Sequence, residues 1–404
     1  MLQRVPDPEQ AVLKRSWREA VHELSLIERP SASEGERSAA ELIAADLRER
    51  GRETVVEQEL AHGGYWWPLG LANLLALLGA LAARRRGRAA RAAGALAAGV
   101  GAAAVWDDVG HGRRWFRRAL LPRRPTWNVL ARAGDEDGER TVVFIAHHDA
   151  AHSGLIFHPA LGSIGPRLFP RLHERAGRTL PILYAVWLGP VAICAGALLG
   201  RRVLRRLGCV LATGTVAAMI DIGARRSVPG ANDNLAAVGV LLALAERLDR
   251  DAAAGVRVLL LSTGSEESFS EGMEAFVERH RDELAPQSTE FVCLECLGGP
   301  ELIVLEGEGM LRMRDYTLSV REGLGEAARR AGVKVTRGLR TVAASDALIA
   351  LREGYRVGTL AAIDHTKLPL NYHWPNDVPE ELHWQTVEDA LAVCERFVLD
   401  RARG

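Results

Sequence analysis

Five places in the sequence carry residues that could do chemistry, late in or after strand-like runs or at a helix start. His147, His148 and Asp149 follow the run TVVFIA. Asp233 sits in PGANDN, just ahead of an apolar helical stretch. Glu266 and Glu267 follow VRVLLLSTGS. Glu295 interrupts FVCLECLGG, where an unpaired carboxylate would be costly, and His373 lies in NYHWPND. Each has an ordinary explanation alone: Asp233 could cap its helix, and Glu266 and Glu267 could be solvated loop acids. Together, two imidazoles and three carboxylates can hold two zinc ions if one carboxylate bridges them. Two such ions about 3.5–4 Å apart clamp a hydroxide and polarise a carbonyl. The chemistry then needs one more carboxylate, free of metal, to move the proton, and adjacent glutamates supply it.

The elements around these residues read as an alternation of strands and helices. Strands are expected at 53–60, 128–133, 141–146, 256–262, 290–297, 301–305, 334–337 and 356–363. Helices are expected at 8–27 (with Val12, Leu13, Trp17, Val21 and Leu24 on one face), 35–50, 234–248, 272–283, 312–331, 344–352 and 386–401. Ser31 or Ser33 would cap the second helix. This pattern predicts an α/β fold, a mixed and mostly parallel central sheet with helices on both faces. Sites in such sheets form at the carboxyl ends of strands and the starts of helices.

Two stretches break the pattern. Residues 65–83, YWWPLGLANLLALLGALAA, carry no charge and approach the roughly 20 residues that span a bilayer. An arginine-rich link and a weaker Ala/Gly run to residue 106 follow. Residues 180–200 are a second candidate span, containing Pro190, with arginines 201, 202, 205 and 206 and a short return leg at 207–220. Both are expected to be transmembrane hairpins inserted into one soluble domain. The expected division is therefore 1–64, 107–179 and 222–404 for the domain, with 65–106 and 180–221 as hairpins. Both ends of each hairpin return to that domain, so it lies on one side of the membrane.

The formal net charge is zero and argues against nucleic acid as a partner. Five cysteines make no disulfide framework, and the N-terminus lacks a secretory pattern. These lean towards a cytoplasmic domain. Arginines load both ends of the hairpins, so the positive-inside rule does not orient them. Cys293 and Cys296 are expected to pack rather than chelate, because alternate strand positions face opposite ways. His148 and His152 are expected on the solvated surface.

HHD, PGANDN, the Glu-Glu pair, a Glu before Gly and a late Tyr-His occur here in the order that resembles the co-catalytic di-zinc aminopeptidases. That group holds the bacterial leucyl and vacuolar aminopeptidase types and, by fold, the glutaminyl cyclases. The resemblance implies an exopeptidase with two Zn2+ ions, acting on peptide substrates through a metal-bound hydroxide, and the two apolar hairpins imply that it is anchored in a membrane. It implies His147, Asp233, Glu267, Glu295 and His373 as metal ligands, with Asp233 bridging. It also implies Glu266 as general base and Asp149 orienting His147. Ser345-Asp346 matches a family pair to which no role is given. Glu295 stands where many members have Asp, and both hairpins are departures. A cyclase or amidase on the same scaffold, or a non-catalytic receptor, are the alternatives.

Overall fold

The computed structural model describes residues 15–85, 87–181, 183–249 and 253–402; the expected positions Val12 and Leu13 lie outside them. The chain opens with α1 (Trp17–Ser25), capped by Ser16 in a reciprocal box with Glu19. Next come α2 (Glu34–Glu49), capped by Ser33, and β1 (Thr54–Ala61). The first hairpin is α3 (Trp66–Ala82) and α4 (Arg88–Val109), followed by α5 (Trp115–Leu120). Then come β2 (Arg124–Gly134) and β3 (Arg140–His147). Three short helices lead on: α6 (Pro159–Gly162), α7 (Ile164–Leu168) and α8 (Pro170–Arg175). The second hairpin is α9 (Leu183–Leu198) and α10 (Arg202–Ala224).

The remaining chain supplies α11 (Ala236–Arg247), β4 (Val256–Thr263), α12 (Glu271–Arg279), β5 (Thr289–Glu295) and β6 (Glu301–Val304). The two-residue strands β7 (Gly307–Glu308) and β8 (Arg314–Asp315) precede α13 (Leu318–Ala331). After these come β9 (Arg340–Thr341), α14 (Asp346–Arg352), β10 (Arg356–Ile363) and α15 (Trp384–Ala402).

Seven strands form a mixed sheet in the order β1-β2-β4-β3-β5-β10-β6. β4, β3, β5 and β10 run parallel at its centre, and β1, β2 and β6 join antiparallel. One apolar layer packs α1, α2, α11, α13 and α15 on one face, through residues such as Leu24, Ile43, Leu241, Leu324 and Phe397. A second layer on the other face joins Met273 and Phe276 of α12 to Ile349 of α14. Strand direction fixes the position of the site. His147 ends β3 opposite Thr263 at the end of β4, and Glu295 ends β5. Because β2 is antiparallel to β4, its start lies at that same edge, and so does the end of its partner β1.

Three expectations are corrected. Residues 334–337 form no regular strand; Thr336 makes only an isolated bridge to Ile303. The helix expected from 312 begins at Leu318, since Arg314 and Asp315 pair with Glu308 and Gly307 instead. The helix expected from Asn234 begins at Ala236. Asp233 and Asn234 have non-helical backbone angles, and the peptide bond between them is cis.

The two hairpins are not separate. α3, α4, α9 and α10 pack together as one four-helix bundle. Small residues let the backbones meet: a Cβ on Gly79 would lie 2.6 Å from the Gly94 carbonyl, and one on Gly208 would lie 2.7 Å from that of Gly189. Outward-facing leucines and valines stay exposed, including Leu78, Leu81, Leu96, Val203 and Val210. α4 and α10, at 22 and 23 residues, are long and apolar enough to cross a membrane; α3 and α9 are shorter apolar helices.

Candidate active site

Every residue singled out as a ligand or catalyst in the sequence lies at one pocket on the carboxyl edge of the sheet. His147 Nε2 is 3.2 Å from Asp233 Oδ1 and 3.9 Å from both Glu266 Oε2 and Glu295 Oε2. On the other side of Asp233, its Oδ2 is 3.2 Å from His373 Nε2, which is also 3.3 Å from Glu267 Oε2. Two sets of donor atoms thus share Asp233: His147, Asp233 and Glu295, and Asp233, Glu267 and His373. In each, the donor atoms lie within 4.8 Å of one another. His147, Glu266 and Glu267 make a third such set, so the glutamate pair faces both sides.

The charges in this pocket are frustrated. Burial would lower His373, but Glu267 and Asp233 beside it push it up to about 10. Burial also disfavours the charged form of His147, and its hydrogen bonds to Asp149 and Asp233 reverse that and hold it well above the usual histidine range. Asp233 is buried, which opposes its charge, yet His147 and His373 hold it below the ordinary carboxylate range. Burial raises Glu266 well above a normal glutamate, and the neighbouring Glu267 and Glu295 add to this. Burial likewise raises Glu267 and Glu295. Asp233 Oδ2 and Glu267 Oε1 are buried with no hydrogen-bond donor. Crowded acids, imidazole nitrogens turned inward and orphaned carboxylate oxygens are a donor set that fits zinc. The side chains of Glu266, Glu267 and Glu295 keep 11%, 9% and 17% exposure, so solvent reaches the acids, while His147 keeps only 2%.

The surroundings explain how the chain holds this arrangement. Asp149 is wholly buried. Its Oδ1 lies 3.4 Å from His147 Nδ1, so it turns that ring with Nε2 towards Asp233. It also accepts the backbone N–H groups of Glu266 and Glu267, at 3.0 and 3.1 Å, and the Ser31 hydroxyl at 2.6 Å. One carboxylate therefore ties the histidine strand to the glutamate loop. Asp377 accepts the N–H groups of Asn232 and Asp233, at 2.6 and 3.1 Å, and so fixes the turn that presents Asp233. Asn234 Nδ2 donates to Glu295 Oε2 at 2.9 Å and to the Leu294 carbonyl at 2.8 Å. These bonds keep Asp233 and Asn234 out of the helix.

Sequence reasoning missed Asp377, Asn232, Asn234 and Arg29. Arg29 is fully buried; it donates to the carbonyls of His148 and Gly230, at 2.7 and 3.0 Å, and joins the two ligand-bearing turns. For the first three, the available sign was a cluster of Asn and Asp at turns flanking the expected ligands. The solvated placement of His148 and His152 is corrected too. His148 is buried against Ser262 at 3.0 Å, and His152 is half-buried under Trp66, with ring centroids 4.4 Å apart. Both follow a strand that ends inside the protein, under residues that come from α3 and the loop between α1 and α2.

The loop carrying the glutamate pair is also held from the hairpin side. Arg117 Nη1 donates to the Ser268 carbonyl and Arg114 Nη2 to the Phe269 carbonyl, both at 2.5 Å. Arg117 Nε lies 2.9 Å from Asp108, in the last turn of α4. All three side chains are buried.

Residues 215–398 match the model of Peptidase family M28. That segment carries Asp233, Glu266, Glu267, Glu295 and His373. No curated protein matches the chain in sequence. Among solved structures, an aminopeptidase from Aneurinibacillus sp. strain AM-1 is 13% identical, with TM-score 0.52, covering 96% of this chain and 93% of that one. The zinc aminopeptidase BSAP from Bacillus subtilis is 14% identical, with TM-score 0.52, covering 95% and 94%. Bacteroides thetaiotaomicron glutaminyl cyclase, bound to N-acetylhistamine, is 11% identical, with TM-score 0.55, covering 95% and 97%. The chain thus carries a segment similar to Peptidase family M28 within a fold shared with zinc aminopeptidases.

Proposed function

We propose that the chain is a membrane-anchored di-zinc aminopeptidase that removes N-terminal residues from peptides. The carrying observation is Asp233, which lies 3.2 Å from both imidazoles with a further carboxylate on each side. His147, Asp233 and Glu295 would hold one ion, and Asp233, Glu267 and His373 the other. When bound, zinc lowers the pKa of water and polarises the scissile carbonyl.

Glu266 is the general base in this reading. Its burial and acidic neighbours raise its proton affinity, which suits a group that takes a proton from the attacking water and gives it to the leaving amine. The water oxygen forms the new bond to the carbonyl carbon, the C–N bond breaks, and the amine leaves with the proton Glu266 carried. Asp149 positions both His147 and the Glu266 backbone.

The bundle of α3, α4, α9 and α10 is the anchor, crossing the bilayer four times, and residues 1–64, 107–179 and 222–404 form one catalytic domain on a single side. The free cysteines favour the cytoplasmic side.

The test joins metal analysis to turnover of an aminoacyl-anilide by one sample. The expected result is two zinc ions per chain, with Glu266→Gln losing about 10²–10⁴-fold in kcat while binding the same metal. An active Glu266→Gln variant overturns the base assignment. Peptides beginning with glutamine, read by product mass, separate hydrolysis from cyclisation.

A further inference from the structure

We propose that residues 155–172 form an apron seated in the headgroup layer of an anionic bilayer, and that the metal site acts on N-termini of peptides held at that surface. This rests on the membrane-anchored peptidase reading. The first support is helix length. α3 and α9 have 17 and 16 residues, about 25 and 24 Å at 1.5 Å per residue. A hydrocarbon core is about 30 Å thick. These helices have no length to spare, so the domain surface around their ends must press against the lipid.

The second support is where those ends lie. Tyr65, just before α3, stacks on Phe269, two residues after Glu267, at 5.1 Å between ring centroids. Phe157 meets His373 edge to face at 4.5 Å. It also packs in one apolar cluster with Val186, Met219 and Ile222 from the domain ends of α9 and α10. The Leu155 N–H donates to Asp221 of α10 at 2.6 Å. One layer of side chains separates the bundle from the metal ligands.

The third support is the apron's own composition. Leu155, Ile164, Leu168, Phe169 and Leu172 are 58%, 49%, 66%, 62% and 70% exposed. Among them and just beyond stand the exposed Arg167, Arg171, Arg175 and Arg178, against one acid, Glu174. Apolar side chains interleaved with arginine are what an interfacial segment offers an anionic membrane. The apron is also pinned to the loop that presents His373: Lys367 Nζ donates to the carbonyls of His173 and Ala176, both at 2.7 Å. A soluble partner protein or a second copy could cover the same residues, but the short helices leave the bilayer as the nearest surface.

The full-length protein is reconstituted in vesicles of phosphatidylcholine and phosphatidylglycerol. A fluorophore is placed at Leu168→Cys in a Cys194→Ser, Cys209→Ser background, the other three cysteines being buried. A lipid carrying a nitroxide near its headgroup should quench it at least twofold, with no quenching at a control label on Glu136→Cys, in the turn at the opposite edge of the sheet. An unquenched Leu168 label, whether bare or covered by a second copy, overturns the apron.

The second arm reads substrate. The triple variant Leu168→Glu, Phe169→Glu, Leu172→Glu should hydrolyse a soluble leucyl-anilide within twofold of the parent. On a leucyl peptide anchored in the vesicles by a C-terminal palmitoyl chain it should lose at least tenfold. Equal loss on both substrates, or none on either, overturns the substrate assignment. A parent that cleaves neither substrate sinks the peptidase reading, while the quenching result still decides the apron.

Discussion

Arg117 gives the sharpest test of whether the first hairpin positions the glutamate loop. Its guanidinium is fully buried between Asp108 in the last turn of α4 and the Ser268 carbonyl in the glutamate loop. Arg117→Met leaves the Asp108 carboxylate, 1% exposed, without that partner. Breaking a buried ion pair from one side costs about 3–5 kcal/mol, so the variant should melt well below the parent in detergent. Replacing both charges by apolar groups is often neutral, so Arg117→Met with Asp108→Leu should recover much of that stability, since Glu271, 3.5 Å from Arg117, keeps Arg114 and His62 as partners. The double variant still lacks the donor at Ser268. Arg114 at Phe269, and Glu271, which accepts from the Ser268 hydroxyl at 2.9 Å, would hold the loop only in part. A misplacement of about 1 Å can cost 10²-fold, so the double variant should be stable yet slow, with kcat down roughly 10–10²-fold and KM little changed. The assays are thermal denaturation and aminoacyl-anilide kinetics on the three proteins. A double variant with full kcat refutes the claim that the hairpin positions the glutamate pair. A single variant as stable as the parent refutes the energetic reasoning.

Three further outcomes are expected. Asp149→Ala should lower turnover or metal affinity about 10–100-fold, the usual effect of losing a ligand's orienting partner, and unchanged values on both counts would remove its positioning role. Burial, the largest effect on Glu308, pushes it up to about 8 from 4.5, so between those pH values the folded chain keeps a proton that the unfolded chain has released. The contribution of Glu308 is then full below pH 4.5 and falls by up to about 1.4 kcal/mol per pH unit as pH rises to about 8. Glu308→Gln should flatten that slope in denaturation measured from pH 5 to 8; Glu36, also near 8, adds the same slope to both proteins. Chelation should destabilise the parent by about 3 kcal/mol or more if zinc was held at a hundredfold excess over its Kd, and Asp233→Asn should abolish that difference in Tm.

The residues of the site were legible as a set, because acids and imidazoles recur near strand ends and a helix start in an order that resembles a known family, although Asp233 and His373 alone had ordinary readings. Glu295 in FVCLECLGG is the clearest case. Their supports were not legible. Asp377 and Arg29 act on backbone atoms of residues far along the chain, at Asn232 and Asp233 and at His148 and Gly230, and no spacing records that. His148 was misplaced for the same reason, since the position after a strand looks like a surface unless another segment covers it. The hairpins were found from hydropathy, but their shape was not. The return legs, read as 92–106 and 207–220, extend to 22 and 23 residues. Arginine at a helix end can reach water while the backbone stays helical, so the charges in Arg88–Arg91 and Arg202–Arg206 did not mark the helix ends. Nor could hydropathy show that two hairpins, separated by β2 and β3, share one bundle built on glycine contacts such as Gly79 with Gly94.

Sheet direction limits what such insertions can mean. β1 ends and β2 begins at the edge where β3, β4 and β5 end, because β2 is antiparallel to β4. The first hairpin therefore leaves the domain beside the metal site. The second leaves after β3 and returns before Asp233, so it leaves from the same edge. The turn between β2 and β3, residues 135–139, lies at the other edge. In the membrane-anchored reading, a hairpin placed there would anchor the domain as well, since surface loops tolerate insertion, and would turn the site away from the bilayer. Anchoring alone needs one hairpin at any loop. Two hairpins at the reactive edge, packed into one bundle and tied through Arg117 to the glutamate loop, would, in the membrane-anchored reading proposed above, make the membrane face and the catalytic face one surface.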